Sequence, residues 1–257
     1  MLQSPALRAA VTVSPLPVEV EVVAGTKLRG HEWLVVGPPV VFVHDEGGDL
    51  DNWGNALQMC ADAGFHVIAV DLRGHGLSDG AADRAALAGD LAGLVRHVQR
   101  VWGTCGLVVA GLSCRGTLGL GSEAGAPVQV LVTPTMPDLA AGEIRRSTPA
   151  IRMVISASLD QPAKEEAQRV FDSLPGQKVM ASVGDDKFGE RLLQERTHLV
   201  EDVCMFFRMY LSPFHPRTGT RSVPTGTGTP AHDSPAHDAP THVSGAAAAP
   251  PPSSGGK

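Results

Sequence analysis

VIAVDLRGHGLSDG, residues 67–80, opens on a short run of Val, Ile and Ala and breaks into Gly-rich polar sequence after Asp71. A continuous apolar run of this length, bounded by turn residues, reads as a strand covered on both faces. The pattern recurs along the chain. HVIAVDL (66–72) is matched by VVFVHD (40–45), GLVVAGL (106–112), VQVLVTP (128–134), IRMVISA (151–157) and KVMASV (178–183). Upstream, VEVEVVA (18–24) alternates as an edge strand does, and LRGHEWLVV (28–36) follows as its hairpin partner. Helical patterns lie between the runs. Residues 52–64 fit a helix that ends at Gly64, and Leu87, Leu91, Leu94, Val98 and Val101 form one face of another. Ala163, Ala167, Val170, Phe171 and Leu174 form a third, and a last helix over about 189–211 buries Leu192, Leu199, Val203, Phe206, Phe207 and Tyr210. Strands alternating with helices imply a doubly wound α/β sheet, in which ligands bind beyond the carboxyl ends of the strands.

Composition narrows the class. The 257 residues carry a formal net charge of −6, with 43% hydrophobic and 19% charged residues, as in ordinary globular proteins. Neither the net charge nor any local Lys/Arg run offers a footprint for nucleic acid. No stretch approaches the roughly 18 apolar residues of a membrane span, and the N-terminal residues do not resemble a signal peptide. Nine of the 20 prolines fall in residues 212–257, together with the repeat PAHD-SPAHD, a run of four alanines and one aromatic residue, Phe214. Such a segment buries too little apolar surface to offset its chain entropy. It is expected to be a disordered tail behind one domain over residues 1–211. Cys60, Cys105, Cys114 and Cys204 lack metal-ligand spacing and are expected as buried thiols of a cytoplasmic protein.

The chemistry concentrates after GLVVAGL, where the run meets Ser113-Cys114-Arg115-Gly116. A Ser at a sharp strand-to-helix turn, flanked by small residues, is a nucleophile elbow. An ordinary strand–helix turn with Ser113 as helix N-cap is the competing reading. Gly119-Leu120-Gly121 followed by Gly125 does not directly follow a strand, so no cofactor is expected there. No metal site is expected either, and His31, His66 and His97 read as structural.

Residues 40–53 (VVFVHDEGGDLDNW), the motif Asp71-Leu72-Arg73-Gly74-His75-Gly76-Leu77-Ser78-Asp79 and Gly111-Leu112-Ser113 together resemble the α/β-hydrolase superfamily. The resemblance runs from about Pro39 to Leu211. It implies a mostly parallel eight-stranded sheet with helices on both faces. Only about 16 residues, 135–150, separate Pro134 from the next strand, so no cap domain is expected. It further implies Ser113 as nucleophile, Asp160 as acid, and the backbone N–H groups of Cys114 and Glu46 as oxyanion donors. His44 would orient the oxyanion loop, and Asp71 and His75 would be mainly structural.

The chain departs from the family pattern at the same site. The base position holds Phe188, and no His occurs between His97 and His198. Ser is a poor nucleophile without a base, and Phe can neither take nor return a proton. His198 is the nearest replacement, about nine residues into the last helix and hence roughly 13 Å along its axis, where a surface role is expected. Asp45 stands where the family has Gly, and Arg115 where a small residue is usual. Carboxylates at 45 and 46 would oppose a developing oxyanion unless they are paired, and Arg115 is their expected partner.

Two functions follow from these residues. One is a lidless serine hydrolase of carboxylic-ester type acting on a small or exposed acyl substrate. The other is a catalytically impaired member of the fold that serves as a binding or interaction module.

Overall fold

The computed structural model describes residues 12–23 and 25–211. The expected tail, residues 212–257, lies outside the described residues. Eight strands form one sheet: β1 (Leu16–Val23), β2 (Thr26–Trp33), β3 (Pro39–Val43), β4 (His66–Val70), β5 (Gly106–Ala110), β6 (Val128–Val132), β7 (Ile151–Ala157) and β8 (Lys178–Val183). Their order is β1-β2-β4-β3-β5-β6-β7-β8. β1 and β2 pair antiparallel, β2 joins β4 antiparallel, and all other neighbours are parallel. Every residue of β3, β4, β5 and β6 is buried, as the continuous apolar runs require.

Successive residues of a strand point to opposite faces, so the sheet has two cores. Val40 and Phe42 pack with α1 (Ala56–Asp62), α5 (Glu190–Glu195) and α6 (Thr197–Tyr210) through Leu57, Leu192, Val203 and Phe207. Val41 and Val43 pack on the other face with α2 (Leu87–Trp102), α3 (Ala141–Arg145) and α4 (Gln161–Ser173) through Leu91, Leu94, Ile144 and Val170. The last helical stretch is two helices rather than one. The chain leaves helical geometry at Arg196 (φ −112°, ψ 75°), whose guanidinium turns to Asp185.

The connection from β6 to β7 holds only the five-residue α3, in keeping with the absence of a cap domain. After β5, a 3-10 stretch over Gly111–Thr117 replaces the expected elbow helix. Gly116, Gly119, Gly121 and Gly125 follow in quick succession, and each Gly disfavours a helix by about 1 kcal/mol relative to Ala. Trp53 is fully buried and meets Phe42 edge-on at 5.2 Å, anchoring the far end of the loop that follows β3. Among the described residues, no helix is long and apolar enough to cross a membrane.

Candidate active site

The sharp turn at the end of β5 falls on Gly111, not on Ser113. Val109 and Ala110 are still paired to β3 and β6, so Gly111 is the first residue off the sheet. It takes φ +52°, in the left-handed region that suits Gly. A Cβ at this position would collide with the Asp45 carboxylate. The apex of the turn therefore carries no side chain. Ser113 lies two residues further on, 0% exposed, and its Oγ has no hydrogen-bond partner.

Asp45 Oδ1 accepts the N–H of Leu112 and that of Glu46, each at 2.7 Å. Glu46 is one of the two residues expected from sequence as an oxyanion donor, and here its amide is taken by Asp45. The other amide on Asp45 Oδ1 is that of Leu112, next to the apex of the turn. The Cys114 thiol is fully buried and donates to the Val109 carbonyl at 3.1 Å. Asp45 points into the cradle, and its own N–H donates to Glu190 Oε1. Burial pushes the carboxyls of both Asp45 and Glu190 above their ordinary values; the amides on Asp45 pull the other way.

His44 holds this loop through both ring nitrogens. Its Nε2 accepts the Leu72 N–H at 2.8 Å, which leaves Nδ1 to donate to the Asp45 carbonyl at 2.7 Å. Burial lowers its pKa, so the ring stays neutral with both nitrogens engaged. His75 lies against it with ring centroids 5.1 Å apart and takes the Gly47 N–H on Nε2. Asp71 accepts the amides of Leu50 and Leu77, and Arg73 forks onto Asp90 at 2.6 and 2.8 Å. The 71–79 motif thus ties loops together.

Asp160, Phe188 and His198 lie at the start of α4, in the loop after β8 and on α6. Asp160 caps α4, accepting the Ala163 N–H at 3.3 Å. Phe188 is half-buried, and it is Gly189 that packs near Ala110 and the Asp45 Cβ, donating its N–H to Thr133 Oγ1 at 2.8 Å. His198 is exposed on the first turn of α6. Because Ser113 Oγ has no partner, no described histidine serves it. The expected pairing of Arg115 with Asp45 or Glu46 does not form. Glu46 pairs with Arg84 at 2.7 Å, and Arg115 approaches Asp138 at 3.9 Å, with Asp138 also reached by Arg84 at 3.2 Å. Two features escaped the sequence reading: Gly111 as apex and Asp45 as occupant of the cradle. The signal for the first was present, since Gly111 directly follows a five-residue apolar strand and tolerates positive φ.

A cleft of about 610 Å³ opens beside the cradle. Leu72, Leu87 and Leu112 give it an apolar floor, and Glu46, His75 and Arg84 a polar rim. Among the described residues, no group of His, Cys, Asp and Glu is placed to hold a metal ion.

Known proteins were then compared with this chain. Residues 38–102 match the model of the α/β-hydrolase fold family. A stretch of 92 residues, 36% of this chain, is 39% identical to the dihydrolipoyllysine-residue acetyltransferase component of the acetoin cleaving system of Cupriavidus necator. The match spans only 24% of that relative's length. Among solved structures, an esterase of Pyrococcus furiosus superposes with a TM-score of 0.60 at 15% identity, over 77% of this chain and 93% of that one. Dienelactone hydrolase of Anabaena variabilis gives 0.64 at 18% identity, over 77% and 99%. These likenesses to solved structures show the fold. Sheet order, loop placement and comparisons agree that the chain is an α/β-hydrolase-fold protein.

Proposed function

We propose that this protein binds a small molecule in the cleft beside Leu112 and does not run serine-esterase chemistry. One observation carries the reading. Asp45 Oδ1 takes both amides, Leu112 and Glu46, from which an oxyanion would be stabilised. It does so beside a turn whose apex, Gly111, has no side chain. Acyl transfer draws much of its acceleration from such free, preorganised donors. A carboxylate already seated on them repels the charge they would otherwise stabilise. The cleft volume lies within the range of small-molecule sites, and its apolar floor with a polar rim suits a short acyl or alkyl group bearing one polar end.

The test has two parts. Fluorophosphonate labelling and short-chain aryl ester hydrolysis are measured for the wild type and Ser113→Ala. Neither labelling nor turnover above buffer is expected from either protein. A panel of short-chain acids, esters and alcohols is then screened by thermal shift, with Leu112→Trp filling the cleft. Protection of the wild type but not of Leu112→Trp is expected. Labelling of the wild type that Ser113→Ala abolishes overturns the reading, as does equal protection of both proteins by every compound.

A second reading is a serine hydrolase of carboxylic-ester type, with Ser113 as nucleophile and Asp160 as acid. It is favoured by the Ser113 hydroxyl, which is buried and uncommitted to any hydrogen bond. It requires the turn to move its apex from Gly111 to Ser113, which would bring the Cys114 amide beside that of Glu46. The same labelling experiment separates the two readings.

A further inference from the structure

Away from the cleft, two thiols meet. Cys60 on α1 and Cys204 on α6 bring their sulfurs within 3.5 Å where the two helices pack. Both belong to the core that α1, α5 and α6 close over the sheet. Cys204 also lines a separate cleft of about 370 Å³, with Met59, Glu201 and Arg208 at its walls; Cys60 lies behind it. The other two cysteines are placed differently. Cys105 and Cys114 are 0% exposed in the opposite core, line none of these clefts, and burial pushes Cys105 up to about 12 and Cys114 well above its ordinary value.

We propose that Cys60 and Cys204 form an oxidation site, closed into a disulfide by a small hydroperoxide that enters the cleft at Cys204. The thiolate of Cys204 attacks one peroxide oxygen. The O–O bond breaks, Cys204 becomes a sulfenic acid, and the departing oxygen leaves as an alcohol or water after taking a proton. The Cys60 sulfur then attacks the sulfenic sulfur. The S–O bond breaks, and water leaves with the Cys60 proton. Two thiols and one hydroperoxide give one disulfide, one alcohol (or water) and one water. The sulfurs lose two electrons, and the peroxide gains them.

The two roles follow from position. Thiolate is the reactive form, and of the pair it is Cys204, 3% exposed, that lines the cleft. The neighbouring Cys60 thiol, and then the Arg208 guanidinium, draw Cys204 below its ordinary pKa, while Cys60 is held above its own by Cys204 and by burial. Closure asks the sulfurs to approach from 3.5 Å to about 2.05 Å, a movement on the order of 1.5 Å shared between two side chains and two helices. The product would tie α1 to α6 across 144 positions of sequence, and cross-links of long span restrict the unfolded chain most.

The experiment treats the fully reduced, folded chain with excess hydrogen peroxide, removes the oxidant, then unfolds and alkylates. The count of alkylated cysteines is expected to fall from four to two, with a single peptide cross-link between Cys60 and Cys204. In Cys60→Ser, no cross-link is expected, and oxygen adducts collect on Cys204. The proposal is overturned if four cysteines remain alkylatable, if Cys204 gains oxygen in the wild type while Cys60 stays free, or if the cross-link includes Cys105 or Cys114. The wild-type count decides the matter even where a variant folds poorly.

Discussion

The Asp45 carboxylate and Gly111 occupy each other's space: a single methyl group on Gly111 would overlap the carboxylate that bridges the Leu112 and Glu46 amides. An acidic side chain in the cradle and a missing side chain at the apex are therefore one arrangement.

That dependence is measurable. Gly111→Ala should destabilise the fold by about 2 kcal/mol or more, combining a positive φ that disfavours a Cβ with the clash against Asp45. Asp45→Gly should cost about 2–4 kcal/mol by leaving two amides without their charged acceptor. The double variant should be less damaged than the sum of the two, by about 1–2 kcal/mol, because the clash disappears. Urea unfolding of the four proteins gives the cycle, and strict additivity would refute the steric link.

Acid should weaken the protein partly through Asp185. Its carboxylate accepts the N–H groups of Lys187 and Asp186 and meets the Arg196 guanidinium. The Lys187 amide first, then Arg196, hold its pKa at about 2, below the ordinary 3.8. A depressed carboxyl pKa contributes stability above the unfolded-state value, and the contribution is lost as pH falls through the folded-state value. Between about pH 4 and pH 2, the wild type should lose stability more steeply than Asp185→Asn. Parallel melting-temperature curves for the two across that window would contradict the assignment.

The strands themselves were legible because β3 to β7 are short Val-rich runs, and runs of that kind have few alternatives to a covered parallel sheet. The motif from Asp71 to Asp79 was legible for a related reason: its side chains bond to nearby loops, so spacing and identity travel together. The turn after β5 was not. A Gly-x-Ser-x spacing leaves open which of two positions leaves the sheet first, and that is settled by the register of Val109 and Ala110 against their neighbours. The direction of Asp45 was hidden too. Sequence showed the charge, while only the approach of the Leu112 amide from the turn after β5 shows what that charge binds. The break at Arg196 depends likewise on Asp185, eleven residues earlier.

Among the described residues, Arg152 is a fully buried cation, and its loss should be felt across the sheet. It is 0% exposed on β7, and its guanidinium donates to Gln129 Oε1 at 2.9 Å, the Thr148 carbonyl at 2.8 Å and the Pro175 carbonyl at 3.2 Å. Burial lowers its pKa to about 10, still well above neutrality. Arg152→Met keeps much of the volume but leaves three acceptors unpaired in a dry region. A loss of about 2–4 kcal/mol in urea unfolding is expected. A change below about 0.5 kcal/mol would mean that water replaces the guanidinium freely.

Returning a histidine to the base position should not by itself create an esterase. Phe188→His places an imidazole in the loop after β8, yet Gly189 is the residue of that loop packed near Ala110 and the Asp45 Cβ. A base there would still find no hydroxyl at the apex, since Gly111 has none and Ser113 Oγ is enclosed. The Leu112 and Glu46 amides would also remain occupied by Asp45. Short-chain aryl ester hydrolysis by Phe188→His is therefore expected to match the wild type within error. Adding Asp45→Gly should free the two amides without supplying a nucleophile, so that variant should also stay inactive. Activity that appears in Phe188→His and vanishes in the further variant Ser113→Ala would show that the turn does present Ser113, and would replace the binding reading with the hydrolase one.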